Sequence, residues 1–136
     1  MKIIIDAMGG DLAPQAPVRG GLQAAKEFGV EVLFTGNEAA IRHVMKQDGY
    51  DELPAGVEIV NCTEVVDNCD DPSIVWRKKP DSSMTVGLKL LKASRGNAFI
   101  SAGSTGALLS GATLLVRRIR GVKRAAVAPS LPTGRG

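Results

Sequence analysis

The chain has 136 residues, 44% of them apolar and 23% charged, which suits one globular domain with a single core and excludes a disordered tail or a collagen-like repeat. Its net charge of +3 suits a small anionic ligand or an acidic partner and is too weak to indicate nucleic acid. No apolar run is long enough to span a bilayer, and the three isoleucines after Lys2 are too few for a signal peptide, so a cytoplasmic location is expected.

Lys2 to Ile5 is a β-branched run, the mark of a strand buried on both faces. A loop follows, Asp6-Ala7-Met8-Gly9-Gly10-Asp11. Pro14 and Pro17 suit the first turn of a helix, Val18, Leu22 and Ala25 recur at helical spacing, and Gly29 is a C-cap. Val30 to Phe34 reads as a second strand. Asn37 caps the next helix, which carries Ile41, Val44 and Met45 and ends at Gly49. Val57 to Val60 is a third strand. The stretch from Cys62 to Pro80 is less regular, with a short helix opening near Asp70-Asp71-Pro72-Ser73, running through Trp76 and broken by Arg77-Lys78-Lys79-Pro80.

Asp81 or Ser82 then caps a helix with Met84, Leu88 and Leu91 on one face, ending near Gly96. Ala98 to Ile100 is a fourth strand. After Ser101-Ala102-Gly103-Ser104-Thr105-Gly106 comes a helix with a Leu108, Ala112, Leu115, Ile119 stripe, expected to be largely buried. Ala125 to Ala128 reads as a fifth strand, and Pro129 onward as irregular backbone. Strands alternating with helices predict an α/β fold, an open, mainly parallel sheet with helices on both faces. The whole of 1–136 reads as a single domain. Because it stops just after a strand, it is expected to be the N-terminal portion of a longer chain, an incomplete domain. Cys62 and Cys69 match no zinc spacing and are expected to be buried or half-buried thiols. His43 is expected on a helix surface.

In open α/β sheets ligands bind beyond the carboxyl ends of the strands, where both glycine clusters fall. At Ser101 to Ala107, free amides at a helix start, the positive end of its dipole and the Ser104 and Thr105 hydroxyls would suit an anion, and Gly103 and Gly106 would let backbone approach it. A tight turn with Ser104 as a plain N-cap is the competing interpretation. The loop is neither a Walker A loop nor a dinucleotide fingerprint, which argues against an oxidoreductase. In the first cluster, Gly9 and Gly10 allow positive φ or a close ligand, while Asp6 and Asp11 could hold a cation, orient a donor or make only turn bonds. Lys78 and Lys79 stand before Ser82 and Ser83 at another helix start. That pattern fits an anion site or, alternatively, a solvated basic run. The cluster Arg117, Arg118, Arg120, Lys123 and Arg124 stabilises a helix C-terminus or offers a surface to an acidic partner or lipid headgroups.

These three loops, in this order over the whole chain, resemble the PlsX family of bacterial phosphate acyltransferases. Ser104 stands where that family commonly has Asn, and Pro80 intervenes between Lys79 and Asp81-Ser82-Ser83. The resemblance implies a three-layer αβα fold like that of isocitrate and isopropylmalate dehydrogenases. It implies an acyltransferase that moves a fatty acyl group from acyl carrier protein to inorganic phosphate and supplies acyl phosphate to phospholipid synthesis. Further implications are a homodimer, peripheral membrane association of the full-length protein, and no metal or redox cofactor. Phosphate would then be held by Gly9, Gly10, Ser82, Ser83, Gly103, Ser104, Thr105 and Gly106. Lys79 or Lys78 would supply charge, and Asp6 and Asp11 would orient donors. The Arg117–Arg124 cluster would dock the acidic carrier. The rivals are a phosphotransacetylase-like enzyme using acyl-CoA and an inactive phosphate-binding or dimerisation fragment.

Overall fold

The computed structural model describes residues 1–128. Four strands, β1 (Lys2–Asp6), β2 (Glu31–Gly36), β3 (Val57–Asn61) and β4 (Ala98–Ile100), form a parallel sheet in the order β3-β2-β1-β4. The helices are α1 (Gln15–Phe28), α2 (Glu38–Gln47), α3 (Val75–Lys78), α4 (Ser83–Lys92) and α5 (Thr105–Gly111). Helices α1 and α2 cover one face, burying Val18, Leu22, Ile41, Val44 and Met45 against Ile5, Val32, Phe34 and Val57. Helices α4 and α5 make a second cluster, with Met84, Leu88 and Ala107 at its centre and Phe99 of β4 beside it. The alternation of strand side chains is what splits Ile5 and Phe34 from Ile4 and Leu33, all four deeply buried.

Local chemistry sets the element ends much as the residue types imply. Asn37 Oδ1 accepts from the Ala40 amide at 2.9 Å, and Ser82 Oγ accepts from the Thr85 amide at 3.3 Å, each satisfying an orphan donor of a first turn. Gly29 ends α1 in the left-handed conformation (φ 62°), its amide bonded to Ala25 O. Gly21 is required by packing, because a β-carbon there would stand 2.6 Å from Phe34 Cζ.

Four expectations are corrected. Arg77 and Lys78 do not break the short helix but belong to it, with the Arg77 guanidinium stacked 4.5 Å from the Trp76 ring. Helix α4 stops at Lys92 rather than Gly96, and Gly96 instead lies against Ile4. The Leu108-to-Ile119 stripe does not continue as one buried helix. After α5 the backbone widens into a π-helical turn, Ala112–Val116, and ends at Arg117 with φ 78°, leaving Ile119 81% exposed. Residues 125–128 form no strand and are exposed. The irregular backbone expected from Pro129 lies outside the described residues.

The cysteines also divide. Cys62 is buried and Cys69 is exposed, against the expectation of two sheltered thiols. Burial, reinforced by the charge of Asp81, pushes the Cys62 thiol up to about 11. A thiol reagent at neutral pH is therefore expected to label one cysteine in the folded chain and two in denaturant, which a colorimetric thiol count checks. The unfolded chain ionises Cys62 first, so this group withdraws stability as pH rises from the ordinary thiol range towards about 11.

Candidate functional site at the carboxyl ends of β1 and β4

Strands β1 and β4 pair with Ile5 opposite Ile100, so the loops that leave them at Asp6 and Ser101 run side by side. Asp6 is 2% exposed. Its Oδ1 accepts from the Met8 amide (3.1 Å) and its Oδ2 from the Ser101 hydroxyl (2.8 Å). Ser101 Oγ accepts in turn from the Gly103 amide at 3.1 Å. One buried carboxyl group thus fixes both loops through a single hydroxyl.

Gly9 fits into that link. A β-carbon there would lie 2.7 Å from Asp6 Oδ2, 2.7 Å from Ser101 Oγ and 2.9 Å from the Gly103 amide nitrogen. Gly10 adopts φ +100°, and its missing β-carbon would stand 3.0 Å from Ala102 Cβ. The two glycines therefore serve different needs, close approach at one and backbone conformation at the other. Asp11 is exposed and, with Asp67 of the opposite segment, lines a small cleft of about 170 Å³ between the two glycine loops.

At the start of α5, Ser104 Oγ accepts from the Ala107 amide at 3.4 Å and Ser104 O from the Leu108 amide at 2.9 Å. Ser104 is therefore an N-cap. Thr105 and Gly106 are exposed, and among the described residues their amides have no protein acceptor. Two donors at the positive end of the α5 dipole therefore face outward beyond β4. Pro72 packs over this turn, 3.2 Å from where a Gly106 β-carbon would be.

The start of α4 is different. Ser82 is fully buried, and its hydroxyl donates within the protein, with Lys79 O at 2.9 Å and Thr85 Oγ1 at 2.8 Å. The Ser83 amide donates to Glu64 O at 3.2 Å, and Ser83 is 1% exposed. Asp81 accepts from the Thr63 amide (2.8 Å) and hydroxyl (2.6 Å), which hold its carboxyl below the usual carboxylate range. That helix start is stitched to the segment after β3, and Ser82 and Ser83 are part of the stitching.

Lys79 is likewise engaged. Its Nζ donates to Asp70 (2.6 Å), to Val65 O (2.8 Å) and to Asp67 (3.2 Å). The Asp70 carboxylate raises the Lys79 pKa and is itself held low by the ammonium. Lys79 anchors the 65–70 segment that walls the cleft. Lys78 is exposed and makes no ion pair among the described residues. Residue-type reasoning gave no separate role to Ser101, the hinge of the link, although its place directly after an apolar strand was a usable signal. Asp67 and Asp70 were not foreseen either, because only the fold carries them to Lys79.

All 14 acidic residues lie at or before Asp81, so the last part of the chain is purely cationic. Arg117 to Arg124 are exposed, but α5 and the π-helical turn carry them away from the glycine loops, about 18 Å at 1.5 Å per residue. His43 is exposed as expected, sharing a contact of 3.1 Å with Gln47. No helix among the described residues is long and apolar enough to cross a membrane.

The family described as "Fatty acid synthesis protein" matches residues 1–136. The chain belongs to that family. Among curated relatives, a phosphate acyltransferase of Alkaliphilus oremlandii is 46% identical over 136 residues, covering 100% of this chain and 40% of the relative. A phosphate acyltransferase of Thermoanaerobacter pseudethanolicus is 44% identical over 137 residues, again covering 100% of the chain and 40% of the relative. The chain thus spans about 40% of the length of these relatives. Among solved structures, a phosphotransacetylase from Streptococcus pyogenes superposes with a TM-score of 0.64 at 19% identity, covering 91% of this chain and 40% of that one. At that identity the likeness concerns the fold, which agrees with the expected α/β architecture.

Proposed function

We propose that this chain supplies the phosphate-binding loops of an enzyme that transfers a fatty acyl group from acyl carrier protein to inorganic phosphate, producing acyl phosphate for phospholipid synthesis. The observation that carries the proposal is the pair of unpartnered amides of Thr105 and Gly106, held outward beyond β4 next to loops locked by Asp6 and Ser101. A phosphate oxygen attacks the thioester carbonyl carbon. The tetrahedral oxyanion that forms collapses with cleavage of the C–S bond, and the carrier leaves as its thiol, its sulfur taking up the proton that the phosphate gives up. Phosphate is itself the nucleophile, so no Ser or Cys nucleophile is required. The task left to the protein is to position phosphate and stabilise developing negative charge, which helix-start amides do at no reorganisation cost.

On this basis Gly103, Ser104, Thr105 and Gly106 meet phosphate, with Gly9 and Gly10 shaping the floor. Asp6 is a positioning residue, acting through Ser101 on the Gly103 amide. Lys79 is placed to position the cleft wall, and Lys78 is the cation free to approach the anion. The acidic carrier docks on the exposed Arg117–Arg124 cluster, from which its thioester reaches the glycine loops across the length of α5.

The test is Thr105→Pro in the full-length protein, which removes one of the two outward amides at the first helical position, where proline is tolerated. The phosphate KM is expected to rise about tenfold or more, as loss of a hydrogen bond to a charged ligand implies. An unchanged phosphate KM and kcat would reject the assignment. Rates with acyl carrier protein and acyl-CoA as donors, compared in the same assay, decide the donor.

A further inference from the structure

We propose that the apolar groove between α1 and the β1–β4 edge holds the alkyl chain of the acyl donor, an inference that rests on the acyl-transfer reading above. The groove measures about 590 Å³, within the range of small-molecule sites of about 300–1,000 Å³. Ile5 and Ile100 form its sheet side, and Leu12, Ala16, Gly20 and Ala24 its helix side. Its mouth is formed by Asp6, Gly10 and Ser101, the residues that fix the two glycine loops. From Ala16 to Ala24 it follows α1 for about 12 Å at 1.5 Å per residue.

A fatty acyl thioester has a polar carbonyl end and a long apolar body. With the carbonyl beside the phosphate loops, the body must leave along an adjoining wall, and this groove is the apolar wall that adjoins them. The neighbouring cleft at Asp11 and Asp67 is about 170 Å³ and acidic, unsuited to an alkyl chain. Leu12 and Ile100, 72% and 55% exposed, present apolar surface beside the polar mouth. The small residues of α1 create the space. Gly20 is telling, since a β-carbon there would meet nothing within 4 Å, whereas one at the adjacent Gly21 would strike Phe34.

The test is Gly20→Leu in the full-length protein, assayed with hexanoyl and hexadecanoyl thioesters of the carrier. The added β-carbon meets nothing within 4 Å and the substitution replaces a glycine inside a helix, so Tm is expected to hold or rise. The proposal predicts that kcat/KM for the hexadecanoyl donor falls about tenfold or more while the hexanoyl value stays within about twofold. Equal loss with both donors, or no loss with either, would overturn it. So would a fall in Tm, which would place another part of the protein in the groove. Calorimetric binding of hexadecanoate provides a readout independent of turnover. Binding weakened about tenfold by Gly20→Leu supports the groove even if no acyl transfer is detected, and unchanged or absent binding rejects it. Failure of the unsubstituted protein to form acyl phosphate from any donor would count against the acyl-transfer reading instead.

Discussion

Gly9→Ala in the full-length protein is expected to reduce acyl phosphate formation on the order of a hundredfold, the scale of a 1 Å misplacement of catalytic groups. The added methyl has no free direction to take. It would stand 2.7 Å from both Asp6 Oδ2 and Ser101 Oγ and 2.9 Å from the Gly103 nitrogen, and none of these is the end of a flexible chain. Asp6 is buried and tied to Met8, and Gly103 is backbone. The two loops must therefore separate, and the Ser101 bridge opens. The sheet beneath does not depend on that bridge, since its core is formed by Ile4, Leu33, Phe34 and their neighbours. A cooperative unfolding transition with strongly reduced turnover is the expected pair of results. Wild-type turnover would show that the loop junction has no part in the reaction.

Asp6→Ala is expected to lower both stability and phosphate affinity. It leaves the Ser101 hydroxyl and the Met8 amide, both part-buried, without their acceptor. Unsatisfied buried donors cost about 1–3 kcal/mol each, so an unfolding free energy lower by about 3 kcal/mol is expected in urea titration. Asp6→Asn keeps one acceptor oxygen and the shape, and should lose about half as much. The phosphate KM should follow the same order, Ala above Asn above wild type, because the Gly103 amide is held through Ser101. Equal effects of the two variants on KM would remove Asp6 from the orientation of that loop.

Much of the fold is legible in the residues because short-range chemistry decides it. The apolar runs at Lys2, Glu31, Val57 and Ala98 can hide only as strands between two helical layers, and Asn37, Ser82, Ser104 and Gly29 mark their helix ends by side-chain or backbone type alone. What failed depends on partners distant in the chain. Residues 125–128 are an apolar run, but a strand needs a neighbour to pair with, and composition does not show whether one is in place, while three alanines give little strand preference of their own. Ile119 continues a helical period, yet the π-helical turn at Ala112–Val116 ends the stripe first. The site follows the same division. The glycine loops and the α5 start could be identified from their place after apolar strands. The engagement of Lys79 by Asp67 and Asp70, and of Ser82 by Thr85, could not, because a basic run before a serine pair reads the same whether it faces a ligand or the protein itself.

The most direct measurement is a phosphate titration of the full-length protein labelled with 15N at glycine and threonine, followed through the backbone amide signals. If an anion is gripped at the start of α5, the Thr105 and Gly106 signals move saturably with phosphate, Gly103 moves with them, and Gly29 at the far end of α1 stays still. Thr105 and Gly106 signals unmoved at saturating phosphate, with turnover intact, would contradict the account.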